Sequence, residues 1–124
     1  MDELAYIAGL FDGEGHCAWR TYQATRNGKR YWRRVATITN TDKPILIWVR
    51  KRLGGLGSIH KAERGNKNTH KKPHWKQCWR LQMTHSHALE FLELMRPYCR
   101  IKAKAIKAVL GKPRKMARIR RQAA

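Results

Sequence analysis

YIAGLFDGEGH, from Tyr6 to His16, starts as a short apolar helix and ends in two carboxylates, Asp12 and Glu14, each followed by a glycine. The carbonyl end of a helix carries partial negative charge, so acids are disfavoured there. The rest of the chain is strongly basic. Across 124 residues it has 28 Lys and Arg against 8 Asp and Glu, a formal net charge of +20. Two of so few acids in so unfavourable a place call for a counter-charge.

The same stretch suggests where that charge comes from. Ala5, Gly9 and Gly13 are spaced four apart and share one helix face. A face of small residues lets two helix backbones approach closely. Gly9 lies mid-helix, where glycine costs about 1 kcal/mol against alanine, and close packing offsets that cost. The stretch occurs once, so a symmetric homodimer would have to supply the second helix. Both copies of Asp12 and Glu14 would then lie near the twofold axis. A divalent cation, Mg²⁺ or Mn²⁺, would neutralise them, using carboxylate oxygens together with water and substrate phosphate.

Outward from this stretch, periodicity predicts an α+β chain. The first helix is expected over Asp2 to about Phe11. His16–Arg26 alternates as a strand, Asn27-Gly28 is a hairpin turn signal, and Arg30–Thr39 returns as a second strand. A helix starts near Asp42 and stops at Gly54-Gly55, and the next strand is expected over 57–64. A polar, basic loop over 65–74 leads to a fourth strand over 75–83. Ser86 is positioned to cap a third helix with an apolar stripe of Ala88, Phe91, Leu92 and Met95, and a short helix over 100–110 closes the domain. The order helix–hairpin–helix–hairpin–helix gives a four-stranded antiparallel sheet with one face on helices and one face open. The expected domain spans 1–112, followed by a basic tail over 113–124.

Charge and composition narrow the function classes. A field this positive points to nucleic acid. No apolar run reaches the ~20 residues of a membrane span, so no membrane role is expected, nor is a signal peptide. Cys17, Cys78 and Cys99 are odd in number and widely spaced, which fits a reducing compartment rather than a disulfide framework. No C-x2-C pair occurs, and buried thiols and phosphate-facing histidines read better than zinc ligands. The candidate DNA-binding residues are His16, Arg20, Tyr22, Arg26, Arg30, Arg33, His60, Arg80 and Gln82. A twisted ribbon carrying such side chains can enter a DNA major groove.

IAGLFDGEG, Ile7 to Gly15, resembles the LAGLIDADG motif of homing endonucleases, and the context of helix, strand, hairpin and basic chain is similar through about Leu110. A single motif copy resembles the homodimeric branch. The resemblance implies an αββαββα fold, paired motif helices, saddle-shaped sheets on double-stranded DNA, and metal-dependent cleavage of a long, nearly palindromic site. It implies Glu14 as metal ligand with the Gly13 carbonyl assisting, and Asp12 as a brace of the helix pair. Lys102 matches the active-site lysine, with Lys104 next. Asn40 matches a residue that orders water, and Lys43 stands near an auxiliary basic position. The alternative class is a LAGLIDADG-like protein that binds DNA or intron RNA without cutting. Glu14, Gly13 and Lys102 favour cleavage, because a pure binder has no need of an acid at the phosphate.

Overall fold

The computed structural model describes residues 2–62 and 76–112. The loop expected over 65–74 and the tail expected over 113–124 lie outside these.

Helix α1 spans Glu3–Glu14 and is capped by Asp2, whose carboxylate accepts from the N–H groups of Leu4 at 3.0 Å and Ala5 at 3.3 Å. It runs one turn past the end expected from sequence, so Asp12 and Glu14 are themselves helical. At Gly15 the chain turns extended, and its N–H donates to Phe11 O. A Cβ there would overlap the ring and carbonyl oxygen of Phe11, which explains why glycine ends the motif. Ile7, Ala8 and Phe11 face inward, and Phe11 meets Phe91 edge-on at 5.0 Å.

Strands β1 (Gly15–Gln23) and β2 (Arg30–Asn40) form the first hairpin. Its turn uses Gly28 at φ +67°, a conformation glycine adopts without a Cβ clash, and Asn27 Oδ1 accepts from Lys29 N at 2.9 Å. Helix α2 (Lys43–Arg52) starts at the Asp42 cap with Pro44 in its first turn, and Arg50, Lys51 and Arg52 lie at its negative end. Strands β3 (Ser58–Ala62) and β4 (Cys78–Thr84) pair antiparallel, and β4 also pairs with β2. The sheet order is β1-β2-β4-β3.

Helix α3 (His85–Met95) begins at Thr84, with no side-chain cap, so Ser86 is not the cap that the sequence suggested. His85 takes φ +55° at this sharp strand-to-helix junction, which puts Ser86 inside the helix. Helix α4 (Ala103–Leu110) is shorter than expected, with Lys102 at its N-cap. The chain thus has the α+β, αββαββα fold with an additional short helix.

One face of the sheet packs on the helices. Ala36, Ile38, Leu81 and Met83 meet Ile7, Phe11, Leu46, Val49, Phe91, Leu92, Met95 and Ile106 in a single core. Arg34 shares this face and is only 4% exposed. Its guanidinium donates to the carbonyls of Val109 and Lys112 at the end of α4; Val109 O also accepts from Lys112 N at 3.2 Å, and Lys112 O lies past the last helical turn. No helix among the described residues is long and apolar enough to cross a membrane.

Candidate functional site

Register decides which side chains share the open face, because residues directly opposite across a strand pair point the same way. Pairing of Arg20 with Arg33, Ala18 with Val35 and Thr84, and His16 with Thr37 and Gln82 builds rows across the sheet. Thr39, Arg80 and His60 form a further row. From these rows His16, Arg20, Arg33, Val35, Thr37, Thr39, Arg80 and Gln82 line a concave cavity of about 430 Å³ with Glu14 at one end. The candidates His16, Arg20, Arg33, Arg80 and Gln82 therefore come together with Glu14.

Tyr22 stands one row beyond Arg20, with the Arg33 guanidinium 4.9 Å from its ring centre. His60 lies opposite Arg80 and meets Ser58 Oγ at 2.7 Å. Arg26 is exposed in the hairpin turn, and Arg30 pairs with Gln23, on the parity opposite to Arg33. Neither lines the cavity. Thr21, Val35, Thr37 and Thr39 line it without being sequence candidates; the last three share the parity of Arg33, whereas Thr21 pairs with Trp32 in the next row.

The groove is electrostatically unbalanced. Arg20 and Arg33 are directly opposed, an unfavourable like-charge pair without an anion. Arg20 Nη2 lies 3.0 Å from His16 Nε2. A guanidinium only donates, so His16 accepts through Nε2 and is neutral in this arrangement. Its pKa is held below the ordinary value by burial first, then by the charges of Arg20, Lys102 and Arg80.

The acidic end is built from α1, β2 and the segment before α4. Asn40 Nδ2 donates to Glu14 Oε2 at 2.8 Å, and Asn40 Oδ1 accepts from Asp42 N at 2.9 Å. Asp12 accepts from Arg100 N at 2.8 Å and Lys102 N at 2.9 Å, while Lys102 Nζ donates to Asp12 O at 3.2 Å. Within the chain, then, Asp12 braces the 100–102 segment and so holds Lys102 at the end of α1. Burial raises the Asp12 carboxyl, but hydrogen bonds from Arg100, Lys102, Cys99 and Ile101 outweigh it and leave the pKa lowered. Burial and the neighbouring Asp12 charge push the Cys99 thiol up to about 12, so it stays a protonated donor. Lys43 sits with Nζ 4.2 Å from the Trp79 ring centre, and Lys104 is exposed on α4.

Glu14 offers a hard carboxylate, and Gly13 lies in the last helical turn, where carbonyls lack helical donors. One carboxylate with a carbonyl suits Mg²⁺, which keeps several waters and takes substrate phosphate. Among the described residues, no three or more His, Cys, Asp and Glu gather as a metal cluster. A second copy and bound phosphate would therefore have to complete such a set.

Ala5, Gly9 and Gly13 form an exposed strip along α1. A Cβ added at Gly9 or Gly13 would meet nothing within 4 Å. Packing among the described residues thus gives neither glycine a reason. Tyr6, 41% exposed, borders the strip, and Ile101, 76% exposed, lies in the segment Asp12 holds.

No family model matches the sequence, and no curated protein matches it. Solved structures do match the fold. The homing endonuclease I-CvuI, in complex with a DNA target, superposes with TM-score 0.65 at 22% identity, over 87% of this chain and 63% of that one. The archaeal intron-encoded homing endonuclease I-Vdi141I, complexed with DNA, gives 0.61 at 16% identity, over 85% and 62%. The LAGLIDADG homing endonuclease I-SmaMI, bound to cleaved DNA, gives 0.60 at 21% identity, over 89% and 36%. The chain thus has the LAGLIDADG homing endonuclease fold, and spans less than two thirds of the length of these relatives.

Proposed function

We propose that this chain is one subunit of a homodimeric, Mg²⁺-dependent homing endonuclease that cuts double-stranded DNA at a long, nearly palindromic site. One juxtaposition carries this reading. Glu14, held by Asn40, lies at the end of an arginine-lined groove and beside a helix strip of small residues that nothing among the described residues covers. The strip suits a second copy of α1, which would bring two Glu14 carboxylates together. The length relation to I-SmaMI agrees, because a chain that this one covers over only 36% has room for a second such unit.

Each part of the groove has a role in this scheme. Arg20, Arg33 and Arg80 neutralise phosphate or read guanine edges, and Gln82 can pair with adenine. Glu14 and the Gly13 carbonyl would hold the cation, which supplies charge neutralisation at phosphate and a more acidic bound water. Asn40 fixes the rotamer of Glu14. Lys102, tethered through Asp12, places a positive charge near the phosphate, where charge develops in the transition state. Neutral His16 aligns Arg20 with the groove.

Glu14→Gln tests the proposal. The variant should bind the selected DNA site with unchanged salt dependence and fail to cut it in Mg²⁺, whereas the parent does both. Normal cutting by the variant would remove Glu14 from metal binding. A parent that binds DNA but never cuts would favour the binding-only class, and preferential binding of intron RNA would redirect the partner.

A further inference from the structure

The open face of the sheet is not uniformly polar. Ala18, Val35 and Thr84 form one row across β1, β2 and β4, by direct pairing. No other paired row on this face consists wholly of methyl-bearing side chains among the described residues. Val35 is only 7% exposed and lies in the floor of the groove, on the side that the helices do not cover. On its inner side, toward Glu14, is the row of His16, Thr37 and Gln82. On its outer side is the Arg20–Arg33 row. An apolar band between two hydrogen-bonding bands has no role in the core, which lies on the other face.

We infer that this band reads the 5-methyl group of a thymine in the major groove of the bound half-site, between positions read through Gln82 and through Arg20 and Arg33. The inference rests on the DNA-binding reading given above. Thymine is the base whose major-groove edge carries a methyl group, and apolar side chains are what recognise it. Spacing supports the match. Same-face rows along a strand are roughly 6.7 Å apart, about two base-pair steps at 3.4 Å. Rows on strands lying along the groove then meet every second base pair. Moving outward from the Glu14 end, the half-site would show adenine at Gln82, thymine at the methyl band, and guanine at the arginine row.

The test starts from full-length protein and a DNA pool randomised over palindromic half-sites, with binding selected in EDTA so that no strand is cut. The recovered site should contain a thymine whose replacement by uracil, which removes only the methyl, weakens binding about fourfold, the value of one buried methyl group. Val35→Ser removes both methyl groups of the side chain and puts a hydroxyl in their place. That variant should bind the thymine and uracil sites equally, with uracil affinity close to the parent's. Ala18→Ser gives an independent reduction should Val35→Ser lower expression. Recovered sites that bind equally with uracil at every thymine overturn the inference while leaving DNA recognition intact. Recovery of no bound sequence overturns the DNA reading itself, and this inference with it.

Discussion

Asn40 and Glu14 are joined side chain to side chain at 2.8 Å, and the same Asn40 receives the backbone N–H of Asp42 at the start of α2. One amide therefore ties the acid at the groove's end to a rigid helix. Residues that orient a metal ligand commonly contribute 10–100-fold to affinity or activity. Asn40→Ala should slow single-turnover DNA cutting by about that factor and raise the Mg²⁺ concentration needed for half-maximal rate, with DNA affinity unchanged. An unaltered rate across the Mg²⁺ titration would remove Asn40 as a positioning residue.

Gly9 separates folding from assembly. Its Cβ position is open among the described residues, so Gly9→Ala should raise subunit stability by about 0.5–1 kcal/mol through helix propensity. Gly9→Leu should leave the subunit folded by circular dichroism yet monomeric in sedimentation velocity. Tight dimerisation of Gly9→Leu would contradict the close helix pairing.

Asp12 makes a pH prediction. Its folded pKa lies below the ordinary 3.8, burial being outweighed by hydrogen bonds from Arg100, Lys102, Cys99 and Ile101. A depressed carboxyl contributes stability in full above the unfolded value and loses it as pH falls through the folded one. Asp12→Asn should lower stability at neutral pH by about 1–2 kcal/mol, as for a lost helix cap. It should also flatten the fall in stability below pH 3.8. Urea unfolding across this range reads both effects, and parallel acid limbs in the two proteins would refute the assignment.

Arg34 tethers α4 from inside the core. Arg34→Met keeps the apolar stem but removes the guanidinium donor from the Val109 and Lys112 carbonyls, of which Val109 O keeps its backbone bond from Lys112 N. The expected loss is about 1–3 kcal/mol, with faster amide exchange in α4. Arg34→Lys should not restore it, because lysine lacks the planar fork that reaches two carbonyls. Full rescue by lysine would show that charge alone matters.

Strand parity was legible in the sequence because alternation is local. Cys17, Trp32, Ala36, Ile38, Leu81 and Met83 all fall on the helix-covered side, and Asn27-Gly28 makes the turn its chemistry predicts. Contacts between distant segments were not legible. Arg34 repeats the parity of Trp32 and Ala36, yet its carbonyl partners lie 75 and 78 residues away. Helix α1 outlasts its local sequence signal for the same reason. Gly13 and the two acids argue locally against helix, but Asn40 and the 100–102 segment hold them in place. The motif pointed to the acids, and distance supplied their partners.

The commitments of α1 channel how such a chain can evolve. Ile7, Ala8 and Phe11 are fixed by the core, Asp12 and Glu14 by hydrogen bonds, and Gly15 by contact with Phe11. Tyr6 meets Trp48 edge-on, and Glu3 pairs with Arg52. Neutral drift has almost no room at these positions. The open face of the sheet is the reverse: its side chains can be exchanged without disturbing the core on the other side. On the DNA-binding function proposed above, relatives that acquire new target sites would therefore diverge fastest across the sheet, and keep the helix recognisable after overall identity has faded.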